Sequence, residues 1–384
     1  VNRNLTADRV HSDIDVLARA GLDLPTFLAE VDESLRRAVP YVGACYALMD
    51  PATRLLTKTF KFGDLVGRDD HDLEWADIEY GDVEATCFTE LAAGSVRSVG
   101  VHDVTAGDVA TSRRMRDYMI PYFGYTDELR AVARSGDDVW GGLALFRADD
   151  EPPFDPSDVD FVGSLSSAIA AGLRAGVLAR YGTEMAIDHC PGPAVVVVDA
   201  GNEISHMSPG AETQLEGLIT AGGAAGAAGV VGALVARARS WSAGLAPAPP
   251  RIRVRSDSGG WFVLHAAPLA GRRGGSGDVV VTIEVARPPD IVPLVVAAFD
   301  LTTREREVTQ LVLQGADTKQ IAARLHLSAY TVQDHLKAIF DKAEVRSRRE
   351  LMARIFLDSY APYLGDEITP SGWFRSAPAP TPTV

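Results

Sequence analysis

Cysteine is scarce in this chain. There are three in 384 residues, Cys45, Cys87 and Cys190, odd in number and far apart. That excludes a disulfide framework and a zinc-ligand spacing, and it suits a reducing cytoplasm. Long apolar runs are missing too: none reaches the roughly 18 residues of a membrane span, so no membrane partner is expected. The first residues, Val1 to Asp13, lack a basic start followed by an apolar block, so no export signal is expected. There is no GxxxxGK[ST] phosphate loop, and no strand-end acidic pair with a downstream strand lysine. An ATP-hydrolysing regulator and a phosphorylated receiver are therefore both disfavoured. His71, His102, His189, His206 and His265 show no ligand spacing, so no metal and no cofactor are expected.

Positive charge is also short overall, with a formal net charge of −15. The deficit is uneven. Residues 297–357 hold ten Lys/Arg against eight Asp/Glu, a net +2, and the rest of the chain carries −17. An acidic bulk joined to a small head that does not repel phosphate fits a sensor that carries a nucleic-acid-reading module.

The length allows two to four domains. Leu24 to Val39 places Phe27, Leu28, Val31, Leu35 and Val39 at helical spacing. Cys45 to Met49 and Leu55 to Phe62 read as strands around the turn Asp50-Pro51-Ala52-Thr53. The stretch through Asp82 is polar and acidic, and its Asp69, Asp70, Asp72 and Glu74 read as a solvated loop rather than a metal site. A helix is expected over Thr86 to Ala93. Strands are expected at Val96 to Val101, Glu128 to Ser135 and Val139 to Arg147, the last two joined at Gly136-Asp137-Asp138. One long helix, Ser157 to Tyr181, should close this region, with an apolar face long enough to serve as a lever or dimer contact. Trp75, Tyr80, Phe88, Cys45, Cys87 and the segment Met115 to Tyr125 are candidates for a cavity lining, with core packing as the plainer alternative. Further on, Ala194 to Val198 and Glu203 to Met207 read as strands before a helix opened by Ser208-Pro209-Gly210-Ala211. Residues 221–250 are rich in Ala and Gly and partly helical at best. Arg251 to Val285 alternates in three strand-like pieces. The stretch 365–384, rich in Pro, Ser and Thr, is expected to be disordered.

The C-terminal pattern is more specific. Thr302 and Glu305 form a capping-box pair. The helix they start carries Val308, Leu311 and Val312 and should stop at Gly315, the residue best suited to a left-handed C-terminal position. Asp317 with Gln320 repeats the start signal for a short helix carrying Ile321, Ala322 and Leu325. Ser328 caps a third helix whose inner stripe is Val332, Leu336, Ile339 and Phe340. A fourth helix is expected from Arg348 to Leu357. A short helix, a tight turn and a third helix form the geometry that seats the third helix in a major groove.

Over its whole length this segment resembles the LuxR-type (GerE-type) helix-turn-helix, through LTTREREV, the glycine of LQGADTKQIAARL, and LSAYTVQDHLKAIFDKAEVRSR. The order of elements in 21–181, above all WGGLALFRADDEPPFDPSDVDFVGSLSSAIAAGL, resembles a GAF sensory domain. The stretch AVVVVDAGNEISHMSPGAETQL within 186–288 resembles the start of a PAS domain, with Ser208 where that family usually has Asn. The fold class implied is multidomain α+β. GAF-like and PAS-like domains, each an antiparallel sheet flanked by helices, precede an all-α four-helix head over 297–358, and 221–250 is an insert.

The resemblance implies a cytoplasmic, homodimeric regulator of transcription bound to double-stranded DNA, with a small molecule as the candidate signal in the GAF-like or PAS-like domain. It places Gln333, Asp334 and Lys337 on the base-reading face. It places Lys319, Tyr330, Thr331 and Lys342 at phosphate positions, and Arg346 and Arg348 are within reach of further phosphates. Three residues depart from the pattern. Gln333 stands where a basic residue is frequent, Asp334 adds negative charge, and Glu344 replaces a common glycine. Two alternatives remain open: a thiol-based redox enzyme using Cys45 or Cys87, and a protein-interaction platform without a ligand.

Overall fold

The computed structural model describes residues 3–81, 84–149, 151–179, 193–219, 225–256, 260–270 and 277–360. Cys190, Tyr181 and the Pro/Ser/Thr-rich stretch 365–384 lie outside these. The chain forms two compact units, one running through Ala179 and then from 193 to Val285, the other starting at Ala286.

The first unit opens with a helix that the apolar spacing did not reveal, α1 (Arg3–Leu17), whose Val10 and Ile14 are buried against α2 (Leu24–Ala38). In α2 the Asp23 side chain accepts from the Thr26 amide at 2.9 Å, and Phe27, Leu28, Val31 and Leu35 face inward. Next come β1 (Gly43–Met49), β2 (Leu56–Gly63), α3 (Asp72–Gly81), α4 (Phe88–Ala93), β3 (Ser98–Gly100) and α5 (Val101–Val104). A π-helix at Met115–Phe123 leads into β4 (Tyr125–Ser135) and β5 (Asp138–Ala148), which pair around Gly136 at φ +58°. The sheet is antiparallel throughout, in the order β2-β1-β5-β4-β3.

Two expectations need correction here. The acidic cluster is not all solvated loop, because Asp72 and Glu74 stand in the first turn of α3, and Lys61 bridges Asp69 (2.6 Å) and Asp72 (2.8 Å). Nor is the closing helix single. It divides into α6 (Pro156–Ser164) and α7 (Ser166–Leu178), bent by 41°. The break is held by Ser166, whose hydroxyl donates to the Val132 carbonyl at 2.6 Å and accepts from the Arg134 amide at 3.1 Å. The apolar face of α7 lies on β4, β5, α1 and α2, so its own unit accounts for the length of the stripe. At the α6 end Arg147 reaches the Pro152 and Pro153 carbonyls and Asp158, which fixes the loop before Pro156.

The second sheet comprises β6 (Ala194–Val198), β7 (Ile204–Met207), β8 (Arg251–Arg255), β9 (Trp261–Pro268) and β10 (Val279–Val285). Its order, β7-β6-β10-β9-β8, repeats the order of the first sheet strand for strand. Ser208 ties β7 to β6 by exchanging bonds with the Val195 backbone at 2.8 and 2.9 Å, just before α8 (Ala211–Ile219). The Ala/Gly-rich insert is also corrected: Ala225 to Ser242 is an 18-residue helix, α9. Its small residues are the reason it packs so closely on α3, since a Cβ on Gly232 would press against Ala76 at 2.7 Å. One apolar cluster joins Leu55, Leu56, Ala76 and Tyr80 to Val231, Leu234, Ile252 and Val281. Asp50 adds a polar pin, accepting from the Arg253 amide and guanidinium. The second sheet therefore shares one apolar cluster with β2 and α3, while Met49, Leu65, Phe88 and Phe146 belong to a separate cluster within the first sheet's own layer.

The second unit has five helices among the described residues: α10 (Pro288–Ala298), α11 (Thr303–Leu313), α12 (Thr318–Leu325), α13 (Ala329–Lys342) and α14 (Arg348–Tyr360). Helix α13 packs on α11 and α12, while α10 packs on α14. Among the described residues no single helix is long and apolar enough to cross a membrane.

Candidate nucleic-acid interface and sensor cavity

The geometry of the head is set by its caps. Thr302 and Glu305 form a reciprocal box, as do Asp317 and Gln320, and the Ser328 hydroxyl accepts from the Thr331 amide at 3.0 Å. Gly315 takes φ +81°, and its amide bonds the Val312 carbonyl at 2.9 Å. His326, at φ +54°, ends α12 in the same left-handed region, and Glu344, at φ +53°, turns the chain after α13. A glycine at Glu344 would relieve the Cβ strain of that position.

These caps orient α13. Val332, Leu336 and Ile339 are buried, as are Val308, Val312 and Ile321 beneath them, while Leu325 is only half-buried. The opposite face carries Tyr330, Gln333, Asp334 and Lys337, all exposed, with Tyr330 at 77%. Lys319 and Arg346 are exposed as well, and Thr331 is half-buried with its hydroxyl on Ser328. Gln333 donates to the Thr318 hydroxyl at 3.3 Å, which fixes its amide beside the start of α12.

Two of the expected phosphate residues have partners inside the head. Lys342 donates to the Asp300 carbonyl at 3.0 Å and to Glu305 at 2.7 Å, joining the end of α13 to the start of α11. Burial alone would raise the Glu305 carboxyl, but Lys342 and Thr302 hold it below the usual range. Arg348 donates to the Ala316 carbonyl (2.8 Å) and the Thr318 hydroxyl (3.0 Å), locking α14 to the turn before α12. Arg304, which no spacing rule singles out, plays a similar part by donating to the Leu325 carbonyl at 2.6 Å.

In the first unit, β1, β2, α3, the π-helix, β4 and β5 surround a cavity of about 50 Å³, which Gly229 of α9 also borders. Cys45, Trp75, Phe88, Tyr118, Met119 and Phe123 line it. Of the other candidates, Tyr80 instead lies in the shared apolar cluster, its hydroxyl oxygen accepting from the Leu56 amide at 3.0 Å, and Cys87 is buried at the start of α4. Of the charged residues that line the cavity, Asp72 belongs to the acidic cluster seen in the sequence, whereas Lys61, Glu128 and Arg130 gave no usable signal there.

Burial pushes the Cys45 thiol up to about 12 and the Cys87 thiol up to about 11. Both are protonated at neutral pH and poor nucleophiles, which counts against the redox alternative. Peptide mapping after brief treatment with an alkylating reagent at pH 7 should find neither residue modified in the folded chain, and both modified after denaturation.

The family described as GerE, bacterial regulatory proteins of the luxR family, matches residues 300–355. The spore germination protein GerE of Bacillus subtilis (strain 168) is 38% identical over 55 residues, and the match covers 14% of this chain and 74% of that protein. The chain belongs to the luxR family of bacterial regulatory proteins. The same head of this luxR-family protein is 46% identical over 57 residues to the monoamine regulon transcriptional regulator of Klebsiella aerogenes, which is 15% of this chain and 25% of the relative. The luxR-family chain spans only about a quarter to a third of the length of the first curated relatives it matches. Among solved structures, a Vibrio cholera VqmA–ligand–DNA complex aligns at 15% identity and a TM-score of 0.22, covering 44% of this chain and 84% of that one. Agreement at that level leaves the front half to be read from its own residues.

Proposed function

We propose that the protein is a transcription regulator that binds double-stranded DNA as a homodimer through α13 and responds to a signal received in the first unit. The observation that carries this reading is the exposed face of α13. Three capped helices hold Tyr330, Gln333, Asp334 and Lys337 outward over a fully apolar underside, within a segment that matches the luxR family. In this reading Gln333, Asp334 and Lys337 meet base edges, the Gln amide suiting adenine, the Lys ammonium guanine and the Asp carboxylate cytosine N4. Lys319, Tyr330, Thr331 and Arg346 meet phosphates, which set register and affinity. Lys342 and Arg348 act first by holding the helices in place, with their charge added to the same surface. The domains are then a GAF-like segment over 21–181, a PAS-like segment over 186–288 and the head over 297–358, the first two acting as one body.

The formal charge of the head is only +2, so association should be weak for one head and depend on pairing two. The test is binding of the full chain to genomic fragments and to a selected duplex over a range of salt. Specific, salt-sensitive binding supports the reading, and no duplex association at low salt sinks it. Lys319→Ala and Arg346→Ala should each weaken all duplexes alike. Each should also reduce the slope of log K against log salt by about 1 per head.

A further inference from the structure

The cavity in the first unit is bordered by charges that packing alone does not explain. Arg114 and Arg130 are fully buried, and so is Glu79; Glu128 is 1% exposed. Most of their polar atoms are matched. Arg130 donates from Nη1 to Glu79 at 2.8 Å, Arg114 donates from Nε to Glu128 Oε2 at 2.9 Å and from Nη2 to Thr86 at 2.9 Å, and Glu79 accepts from the Phe88 amide at 2.6 Å. Three atoms have no hydrogen-bond partner: Arg130 Nε, Arg130 Nη2 and Glu128 Oε1. Both residues line the cavity. The Arg130 guanidinium lies over the Phe88 ring, 3.7 Å from its centre, so its plane is fixed.

Nε and Nη2 form the side edge of a guanidinium, the edge that binds an acceptor with two parallel bonds. Glu128 Oε1 sits 3.6 Å from that Nε. A bare anion on the Arg130 edge would meet the Glu128 carboxylate, and a cation on Glu128 would meet Arg130. The two arginines and two glutamates also cancel in charge, and the other charged lining residues, Lys61 and Asp72, pair with each other at 2.8 Å. A net-neutral molecule with an acceptor next to an N–H donor satisfies all three atoms at once. Leaving such groups unpaired in an apolar site is costly. A water needs about 10–15 Å³ of such space, so about 50 Å³ suits about three to five waters or a solute of about four to six heavy atoms.

We infer that this cavity binds a small, net-neutral molecule with an amide-type edge, its carbonyl on the Arg130 Nε/Nη2 edge and its N–H on Glu128 Oε1, with the apolar remainder against Trp75, Phe88 and Phe146. The inference rests on the sensory role proposed for the first unit and gives that role a chemical class. Trp75 stands on α3 and Gly229 on α9, so an occupant touches the packing that joins the two sheets.

The test uses the full chain and four five-membered or similarly sized probes followed by ligand-observed NMR and calorimetry. 2-Pyrrolidinone offers acceptor and donor; cyclopentanone offers the acceptor alone, pyrrolidinium a cationic donor, and propionate an anion. Saturable 1:1 binding of 2-pyrrolidinone, tighter than each of the others by about tenfold, is the expected result. Ala144→Leu, which fills the cavity from β5 and leaves every charged residue in place, should abolish it. Ala47→Val serves the same purpose if the first variant folds poorly. The inference is overturned by propionate binding more tightly, by all probes binding alike, by binding that survives a filled cavity, or by no saturation at millimolar 2-pyrrolidinone. DNA binding is measured separately, so any of these results leaves the head's proposed function standing.

Discussion

An Arg114→Met protein should lose about 3–5 kcal/mol of stability, the usual consequence of removing one member of a buried ion pair. Methionine replaces the aliphatic stem but not the guanidinium, so most of the loss comes from the removed charge and its hydrogen bonds. Arg114 makes the 2.9 Å bond to Glu128 Oε2, approaches Glu79 at 3.5 Å and satisfies Thr86, all out of solvent. Its charge survives burial because Glu128 and Glu79 outweigh the desolvation that would lower its pKa. Without it, Glu128 keeps only Arg130 at 3.6 Å, beyond hydrogen-bond range. Adding Glu128→Gln should recover a large part of the loss, since the double variant no longer buries an uncompensated carboxylate. Denaturant unfolding of the wild type, both singles and the double variant closes the cycle. A single-variant loss under about 1 kcal/mol would show that water reaches these charges.

Lys337→Ala should cost about 1–3 kcal/mol of binding to a selected duplex, with a smaller cost on unrelated sequence. Lys337 is exposed on α13, one turn after Gln333, and has the buried Leu336 and Ile339 beneath it to hold the helix in place. The loss should therefore come with relaxed base choice rather than lost folding. Binding selection from a randomised duplex pool, run on wild type and variant, reads that difference directly. The contrast is with Lys319→Ala, where preference should be unchanged. Identical losses and identical preference in the two variants would remove Lys337 from the base-reading set.

The head was legible because its signals are local. The Thr302–Glu305 and Asp317–Gln320 boxes, Ser328 and Gly315 each act within four residues, and the structure forms each of them. Both sheets were visible in outline through alternation and turn glycines. What the pattern could not convey was tertiary. Small residues in 225–242 read as a weak helix former on propensity, yet Gly232 and its neighbours let α9 press on α3, and that packing supports the helix. The break at Leu165 depends on Ser166 meeting Val132, 34 residues away. Lys342 and Arg348 looked like free cations because their partners, Glu305 and Ala316, lie more than 30 residues upstream. The buried charges on β4 gave alternation like any strand, and only the assembled sheet turns Glu128 and Arg130 towards one cavity.

The apolar cluster that the second sheet shares with β2 and α3 has a consequence during synthesis. Leu55, Leu56 and Tyr80 find their cover on α9 and the second sheet, and Asp50 waits for Arg253, 203 residues downstream. A nascent chain that has reached only the end of α7 leaves this apolar face uncovered and the Asp50 carboxylate without its arginine. Ribosome-bound fragments ending there should be easily cut by protease, and resistance should arrive in one step once β10 has emerged.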